Sequence, residues 1–541
     1  MNRARLPLCL RSRRDVLQLG MGVLGVSAAM SPAGTRAAVQ PAQGRWFDVR
    51  GFGASGLRSD IATPAFQRAI DACTAAGGGI VRVPPGAYTI GMIQLKDNVT
   101  LDLDAGATLF LNQDSSEFPR GRRTMVFAEN ATNIGVTGRG TLDGLAHYVF
   151  TEMRGVDPEI VEEIEIARAA GVDMRRYYRT GVQTYMFILN GCRNVLLRDI
   201  SIIHSPLWNV RLNNCDRVHV DGVYIYSDLE KGVNADGVDV VSSQNVVISD
   251  CVIETGDDAI VLKTIGMDGR PAQPTENVTV TNCVLSSSST PLMIGTETEA
   301  DIRHVVFSNC VIRNSNKGFG INVQDGASVS DVVFSNLTIE TSRRHWNWWG
   351  SSEMCKFVLK KRTPSSRLGA IRDIAVHHVI AHPRGTSTIA GHQEQPLENI
   401  RLSNVVIAMM PENAIDKRAT HAIAVEHVRD LTIRDLSVRW STEAVEPKWQ
   451  SALVLRRVSS FVVDGFAGRQ GLPTAKSPAI LLEDAASGTL TNVRGTHGCQ
   501  TLVHVRGEAT RDINVRDARV PEGASVITYE ADALRPAVRV S

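Results

Sequence analysis

A short phrase that recurs through most of the chain constrains the fold more than any other feature. Each copy has a polar residue, a short run rich in Val and Ile, such as Val246-Val247-Ile248 or Val305-Val306-Phe307, and then Asn or Asp. Short alternating strands broken by Gly, Asn or Ser, at irregular periods in the twenties and thirties, are typical of a parallel β-helix. The copies begin near Asn194, Arg217, Asn245, Asn277, His304, Asp331, Asp373, Asn399 and Asp430.

We therefore predict an all-β fold, a right-handed parallel β-helix, for most of the 541 residues. A propeller would need four antiparallel strands and a longer period in each blade. Repeat proteins of this kind exceed the usual size of a single domain without splitting. The formal net charge of +1 gives no reason to expect nucleic acid or an anionic membrane as a partner.

Three segments interrupt the repeats. The sequence from Thr63 to Gly79 predicts an amphipathic helix that caps the N-terminal end of the β-helix. A charged, Ala-rich segment from Pro158 to Met174 predicts a helical insertion, and Arg343 to Gly350 forms an aromatic and basic loop. We divide the chain after the signal into a cap with the first coils (45–145), a helical insertion (146–185) and the remaining coils with the candidate site (186–541).

The first 38 residues are expected to be an export signal. Ser12-Arg13-Arg14 precedes a weakly apolar, Gly-rich stretch that ends near Met30, and small residues near Ala37 offer a cleavage site. This arrangement resembles a twin-arginine signal, so the twin-arginine export machinery is an expected partner and the mature protein is expected to be periplasmic or secreted. An ordinary basic secretory signal is the alternative. No other run approaches the roughly 20 apolar residues of a membrane-spanning helix.

Cysteines recur in register with the repeats. Cys215, Cys251, Cys283 and Cys310 each follow Asn or Asp at the end of a strand-like run, which predicts thiols stacked and buried at one corner of the solenoid. A chain exported in its folded state would close most of its core in a reducing compartment, so a disulfide framework is not expected. No Cys/His spacing of the metal-binding type is present, and we expect neither a metal nor a cofactor.

Two acidic clusters lie one repeat apart, in Asn234-Ala235-Asp236-Gly237-Val238-Asp239 and in Gly256-Asp257-Asp258-Ala259-Ile260. We expect Asp236 and Asp257 to occupy matching positions on adjacent coils, about 5 Å apart along the stack. With Asp258, they would place three carboxylates on one open face, as acid/base attack on a glycosidic bond requires. The alternative is an Asp/Asn ladder that merely caps the coil turns; the two motifs at one-coil spacing favour catalysis.

On a β-helix these two motifs resemble glycoside hydrolase family 28, the polygalacturonase family. Phe52-Gly53-Ala54, a predicted helix that ends in Ala-Gly-Gly-Gly, and Val83-Pro84-Pro85-Gly86-Ala87-Tyr88 fit the same resemblance, which covers residues 45 to 410. It implies hydrolysis with inversion, in which Asp257 is the general acid while Asp236 and Asp258 hold and activate the water. Carboxylates this close cannot all ionise cheaply, so we expect at least one raised pKa.

Two motifs of the family are replaced in this chain. Thr290 stands where the family has the His of a Gly-His-Gly motif, and Gly320-Ile321-Asn322 stands where it has Arg-Ile-Lys. The missing cations ordinarily engage the carboxylate of a uronate sugar. Their absence argues against a plain endo-polygalacturonase.

Other polar residues are candidates for contact with the substrate. Asn234 belongs to the first acidic motif. Lys263 lies six residues after Asp257 and should share its strand face, where it either binds an acidic sugar or neutralises the acids. Glu297 falls on the following coil, where it either binds a hydroxyl group or caps a turn.

Two tryptophans are further candidates. Trp349, together with Trp346 and Trp348 in the long loop, either stacks on a sugar ring or packs in the core. Trp208, one coil before Asp236, has the same two interpretations. Long loops over a solenoid face often close one end of a groove, which favours exo action.

The family resemblance, taken with the acidic motifs, the long loop and the export signal, implies an exported glycosidase that removes terminal residues from pectic substrates such as galacturonan or rhamnogalacturonan. A polysaccharide lyase on the same fold is one alternative, with Lys263 or Arg303 as the base, but the acidic residues favour hydrolysis. A non-catalytic carbohydrate-binding solenoid is the other alternative, and the replaced His and Arg-Ile-Lys motifs are the argument for it.

Overall fold

The sequence repeats are the coils of a β-helix. The computed structural model describes residues 46–541 apart from 120–122, 154–160, 173–176, 181–182, 268, 345–349 and 473–475. The described strands of the helical stack pair in parallel, coil upon coil, around one apolar core. The prediction of an all-β, right-handed parallel β-helix is therefore confirmed. The predicted export signal (1–38) and Trp349 lie outside the described residues.

Each coil contributes to three parallel sheets, which we call A, B and C in the order in which the chain visits them. Sheet A contains Trp46–Asp48, Gly79–Val83, Val99–Leu103, Thr132–Gly138, Arg193–Arg198, Asp216–Asp221, Gln244–Ser249, Thr275–Thr281, Ala486–Thr491, Arg511–Arg516 and Val538–Val540. Sheet B contains Gly86–Ile90, Ala107–Leu111, Thr141–Asp143, Ser201–Ile203, Tyr224–Tyr226, Val252–Thr255, Val284–Ser287, Ala467–Gly468 and Arg494–Gly495. Sheet C contains Ile93–Gln94, Thr124–Glu129, Tyr185–Asn190, Val210–Asn213, Val238–Val241, Ile260–Thr264, Leu292–Thr298, Lys317–Val323, Glu353–Leu359, Ser387–Ala390, Ile480–Glu483, Thr501–Arg506 and Ser525–Tyr529.

Some strands continue around a corner from one sheet into the next. The first part of such a strand pairs with strands of one sheet, and the later part pairs with strands of the next sheet. Those that run from A into B are Ile302–Ser315, Ser328–Thr341, Ala370–His382 and Leu397–Met409; Leu453–Asp464 runs from C into A, and Ile423–Trp440 runs through all three sheets.

The corner that leads into sheet A is formed by residues in the left-handed backbone region. All nine positions at which the sequence repeats were placed have φ between 52° and 58°. Asn and Asp tolerate this conformation better than other residues with a side chain, which explains their recurrence. Their side chains also bond from coil to coil: the Asn277 amide donates to Asn245 Oδ1 at 3.1 Å, and the Asn399 amide donates to Asp373 Oδ1 at 2.6 Å.

The buried cysteines form two columns. All eight cysteines among the described residues are buried free thiols. One column lies at the corner between A and B and contains Cys251, Cys283 and Cys310. The residue that follows each of these cysteines pairs with its counterpart on the next coil, so the cysteines stack. Cys215 stacks instead on Cys192, at the corner between C and A. The prediction of one column that includes Cys215 was therefore wrong, because the same Asn-Cys phrase follows strands of two different sheets.

Helices occur where the repeat pattern is interrupted. The N-terminal helix is Thr63–Ala75, and its side chains bond to the first coils through Thr63 and Gln67. Within 146–185 the structure has the helix Val161–Ala169 and an antiparallel ribbon that the sequence did not predict, Phe150–Met153 with Tyr177–Thr180. The 3-10 segments are Val49–Phe52, Ser115–Glu117, Ala146–Tyr148 and Asp532–Ala537. None of the helices described is long and apolar enough to cross a membrane.

Candidate active site

Three carboxylates meet where two adjacent coils enter sheet C. Asp236, Asp257 and Asp258 are only 2%, 4% and 9% exposed, and one oxygen of each lies within 4.8 Å of the others. Val238 pairs with Ile260 across the ladder, which places Asp236 opposite Asp258. The expected match of Asp236 with Asp257 was wrong by one residue. Asp236 lies two residues before its strand and Asp258 lies two residues before the next one, so Asp258 is the residue that occupies the matching position.

Glycines allow the two acidic turns to approach each other. A Cβ on Gly256 would lie 2.4 Å from the carbonyl oxygens of both Asp228 and Gly232. The loop that starts at Asp228 carries Asn234, whose φ is 57° and whose amide donates to Asp257 Oδ2 at 3.4 Å. The Gly before the Asp pair therefore serves close packing of the loop that carries the first motif.

Backbone groups hold the Asp pair in place. The Asp258 N–H donates to Asp257 Oδ1 at 2.9 Å, and the Thr290 N–H donates to Asp258 Oδ1 at 3.0 Å. Hydroxyl groups of Thr255 and Ser287 both donate to the carbonyl oxygen of Asp257 at 2.7 Å. Thr290, where the family has His, thus supplies a main-chain donor to one of the acids.

Lys263 lies at the centre of the acidic cluster and is 6% exposed. Its Nζ is 3.1 Å from Asp239 Oδ1, 3.4 Å from Asp236 Oδ2 and 3.6 Å from Glu297 Oε2. The same Nζ lies 3.9 Å from the centroid of the Trp208 ring. Of the two interpretations from sequence, these contacts favour neutralisation of the acids.

Burial dominates the electrostatics of the acids. It raises the pKa of Asp257 well above its ordinary value, with repulsion from Asp258 adding to the effect. Burial, followed by repulsion from Asp257 and Asp239, likewise raises the pKa of Asp236 well above its ordinary value. Burial also raises the pKa of Asp239, to about 6, although Lys263 opposes the shift. Protons are therefore retained in this cluster well above the usual range for aspartate.

The acids open into a cavity of about 290 Å³. Of the predicted substrate-binding residues, Asn234, Lys263, Glu297 and Trp208 all line it. Burial would raise the pKa of Glu297, but the Lys263 ammonium holds it below its ordinary value. Trp208 packs at right angles to Tyr185 with ring centroids 5.8 Å apart, so the indole is both packed and part of the cavity wall.

Three cations of the cavity wall were missed from the sequence. Lys317, Lys356 and Lys360 line the cavity, and Lys356 pairs in register with Gly320, in the stretch where the cationic motif is missing. Cys355, Phe357 and Leu359 are buried while Lys356 and Lys360 are not, so period-2 alternation was a usable signal. The 42-residue step between Asp331 and Asp373, the longest in the repeat, left this strand outside the regular spacing of the repeated phrase.

Comparisons with known proteins found relatives both in sequence and in fold. An exo-poly-alpha-D-galacturonosidase from Dickeya chrysanthemi is 25% identical over 251 residues, which are 39% of this chain and 41% of that protein. The chain therefore spans less than half the length of that relative. The Thermotoga maritima exopolygalacturonase structure superposes with a TM-score of 0.56 at 22% identity, over 73% of this chain and 92% of that chain. The Yersinia enterocolitica family 28 exopolygalacturonase gives a TM-score of 0.59 at 20% identity, over 78% and 79%.

Likeness at this level of identity shows the fold, whereas the family rests on a sequence model. The model of the glycosyl hydrolases family 28 matches residues 73–408, more than half of the chain. The match includes both acidic turns and the cavity strands that face them. The chain is a member of glycosyl hydrolases family 28.

Proposed function

We propose that the protein hydrolyses O-glycosidic bonds of pectic poly- or oligosaccharides of the galacturonan or rhamnogalacturonan class. The observation that carries the proposal is the buried trio Asp236, Asp257 and Asp258 at the floor of a cavity whose wall also contains lysines. Carboxyl groups of this kind supply the acid and the base of glycoside hydrolysis. Lysines complement the carboxylate of a uronate sugar.

We assign the general acid to Asp257. Burial raises the pKa of all three acids, but Lys263 Nζ, 3.4 Å from Asp236 Oδ2, favours the charged form of Asp236. Asp257 makes no ion pair within the described part of the chain and retains its proton through burial and repulsion. Asp257 then protonates the glycosidic oxygen, while Asp236 and Asp258 orient a water and remove its proton.

The stereochemical outcome is a separate proposal. Family resemblance favours inversion, whereas inverting enzymes usually hold the two carboxyl groups about 6.5–9.5 Å apart. The nearest oxygens of the trio are within 4.8 Å, a spacing that taken alone would favour retention. We propose inversion, and proton NMR of the first product anomer tests it. Initial release of the retained anomer would reject the water-activating roles of Asp236 and Asp258.

Exo action is supported by the position of the insertion. Lys231, in the loop that carries Asn234, lies 5.4 Å from the ring centroid of Tyr178 in the antiparallel ribbon. The ribbon therefore packs beside the loop at one edge of the acidic cluster, where it would obstruct a long polymer. We expect slow loss of viscosity relative to the release of reducing ends from polygalacturonate. An early collapse of viscosity would reject exo action.

Product analysis tests the central proposal. Incubation with pectic polymers and oligosaccharides should release saturated sugars, and Asp257→Asn should reduce turnover by about 10²–10⁴-fold because general acid catalysis contributes that much. Unsaturated products that absorb in the near ultraviolet would instead indicate a lyase. Binding without products over the whole panel would indicate a non-catalytic solenoid.

The proposed uronate specificity has its own test. Lys356→Met should raise KM for uronate oligosaccharides by about 10–100-fold, since a hydrogen bond to a charged group is worth about 1.5–3 kcal/mol. Lys361→Met is the matched control, because Lys361 pairs with Glu394 at 3.1 Å and does not line the cavity. An unchanged KM in Lys356→Met would remove this residue from substrate recognition.

We also propose that residues 1–38 direct export through the twin-arginine machinery. Arg13 and Arg14 are the pair on which such recognition depends. Replacement of both by Lys should leave the full-length precursor in the cytoplasm of a bacterial host. Undiminished export of this variant would favour an ordinary secretory signal.

A further inference from the structure

A second cluster of ligating side chains lies outside the acidic cavity. Asp143 ends a strand of sheet B, His204 follows the strand stacked on it, and His147 lies in the 3-10 turn Ala146–Tyr148. Asp143 Oδ1 is 3.0 Å from His204 Nδ1, and the two imidazole centroids are 3.8 Å apart. One donor atom from each of the three residues lies within 4.8 Å of the others.

The hydrogen bonds of the cluster are incomplete. His147 Nδ1 is buried and has no hydrogen-bond partner among the described residues. Asp143 Oδ1 is fixed, because it accepts the Leu145 N–H at 2.9 Å as well as contacting His204. Buried polar atoms in proteins almost always have a partner, so the orphan nitrogen beside a carboxylate and a second imidazole calls for an explanation.

We propose that Asp143, His147 and His204 bind one divalent transition-metal ion of the zinc class. Two imidazoles and one carboxylate, with a fourth position left for water, are a donor set that Zn²⁺ accepts. Bonds of about 2.0–2.1 Å in tetrahedral geometry separate neighbouring ligand atoms by about 3.3 Å. Asp143 and His204 are already near that separation.

Only a modest movement of His147 would complete the site. His147 belongs to a short surface turn and is partly exposed, so its ring can rotate toward the other two donors. Metal binding would require an unprotonated nitrogen on each imidazole, since imidazole nitrogen ligates in that form.

The ion would have a structural role. His147 belongs to the first turn of the insertion, whereas His204 begins the Ser205-Pro206-Leu207-Trp208 segment that leads to the cavity wall. A bound ion would therefore fasten the insertion to the coil that carries Trp208. Sequence spacing concealed the site because Asp143 and His204 are 61 residues apart and meet only through the stacking of sheet B.

Titration of the chelator-treated, full-length protein with Zn²⁺ tests the proposal. Calorimetry, or competition with a chromophoric chelator, should give one equivalent per chain that Ca²⁺ and Mg²⁺ do not displace. His147→Gln should weaken the affinity at least tenfold, a conservative expectation because loss of even an outer-shell partner costs about 10–100-fold. Zn²⁺ should raise the Tm of the wild type and leave that of His147→Gln unchanged.

Asp257→Asn separates this site from the acidic trio, the other cluster of donor atoms among the described residues. It should bind Zn²⁺ as the wild type does. Asp143→Asn provides a second ligand variant in case the histidine variant unfolds. The proposal is overturned if the wild type takes up no stoichiometric Zn²⁺, if His147→Gln binds it with unchanged affinity, or if binding disappears in Asp257→Asn.

Discussion

Lys263 is a buried ammonium group surrounded by carboxylates. It is shared by Asp236, Asp239 and Glu297, all within 3.6 Å of its Nζ. Carboxyl groups this close are tolerated in a buried site where a cation offsets part of their repulsion or where one of them keeps its proton. The pKa of Lys263 is raised well above the ordinary value, because the surrounding acids outweigh the effect of burial. The lysine is therefore a condition for a polyanionic cluster at the floor of the cavity.

Lys263→Met should destabilise the protein strongly at neutral pH. Removal of one partner from a buried ion pair costs about 3–5 kcal/mol, because the remaining charges are left uncompensated. Urea unfolding of the variant, compared with Lys361→Met on the surface, measures the loss. Equal stability of the two variants would contradict the central position of Lys263.

Asp257→Asn should be more stable than the wild type at neutral and mildly alkaline pH. The pKa of Asp257 is higher in the folded state than the ordinary value of about 3.9 in the unfolded state. Its contribution to stability is thus fully present below pH ~4 and is lost as pH rises through the folded-state pKa. Asn carries no charge and avoids this loss.

The difference in Tm between Asp257→Asn and the wild type should therefore be small near pH 4 and grow toward pH 8. Thermal unfolding over this range measures it. A difference that is independent of pH would show that the carboxyl group does not change its proton affinity on folding.

The two acidic turns depend on close contact between loop segments. Gly256→Ala should displace the loop that starts at Asp228, because its Cβ would meet two carbonyl oxygens at 2.4 Å. We expect a lower Tm and loss of activity beyond the loss in stability, since this loop also carries Asn234. Gly51→Ala is the matched control, with no atom within 4 Å of the added Cβ. Equal effects of both substitutions would contradict this role for Gly256.

A structural element could be predicted from the sequence where its backbone conformation favours particular residue types. The corner into sheet A was visible in the sequence because Asn and Asp adopt the left-handed conformation at a matching position in coil after coil. The pairing of Asp236 with Asp258 was not visible, since strand register is set by where each turn ends. The ribbon Phe150–Met153 with Tyr177–Thr180 was also missed, because its strands lie far apart in an insertion without repeats.

The candidate site was predictable only in part, for a reason that belongs to the whole molecule. Its acids lie in two short motifs one repeat apart, so their proximity in space could be predicted from the sequence. Lys356 reaches the cavity from two coils beyond Thr290, across the longest step in the repeat, and only the complete stack places it there. The same is true of Asp143 and His204, which no local spacing connects.

The thiols of the whole molecule give a test of its folding compartment. All eight described cysteines are buried, and burial raises the pKa of Cys355 above the ordinary range. We expect no reaction with iodoacetamide in the native protein, full reaction after denaturation, and an unchanged Tm under reducing conditions. Oxidised pairs in the purified protein would show that folding was completed in an oxidising compartment.

The corner column of Asn and Asp residues has a consequence for how such a chain can change length over evolutionary time. These residues share one backbone conformation, and their side chains bond to the neighbouring coil, as Asn277 does to Asn245. One coil is therefore nearly interchangeable with another as a unit of growth. Duplication of a coil beyond Asp430 would lengthen the molecule and leave the acids undisturbed. Between Trp208 and Lys360, duplication would move residues of the cavity away from one another, so this stretch must keep its coil number while the coils beyond it are free to vary.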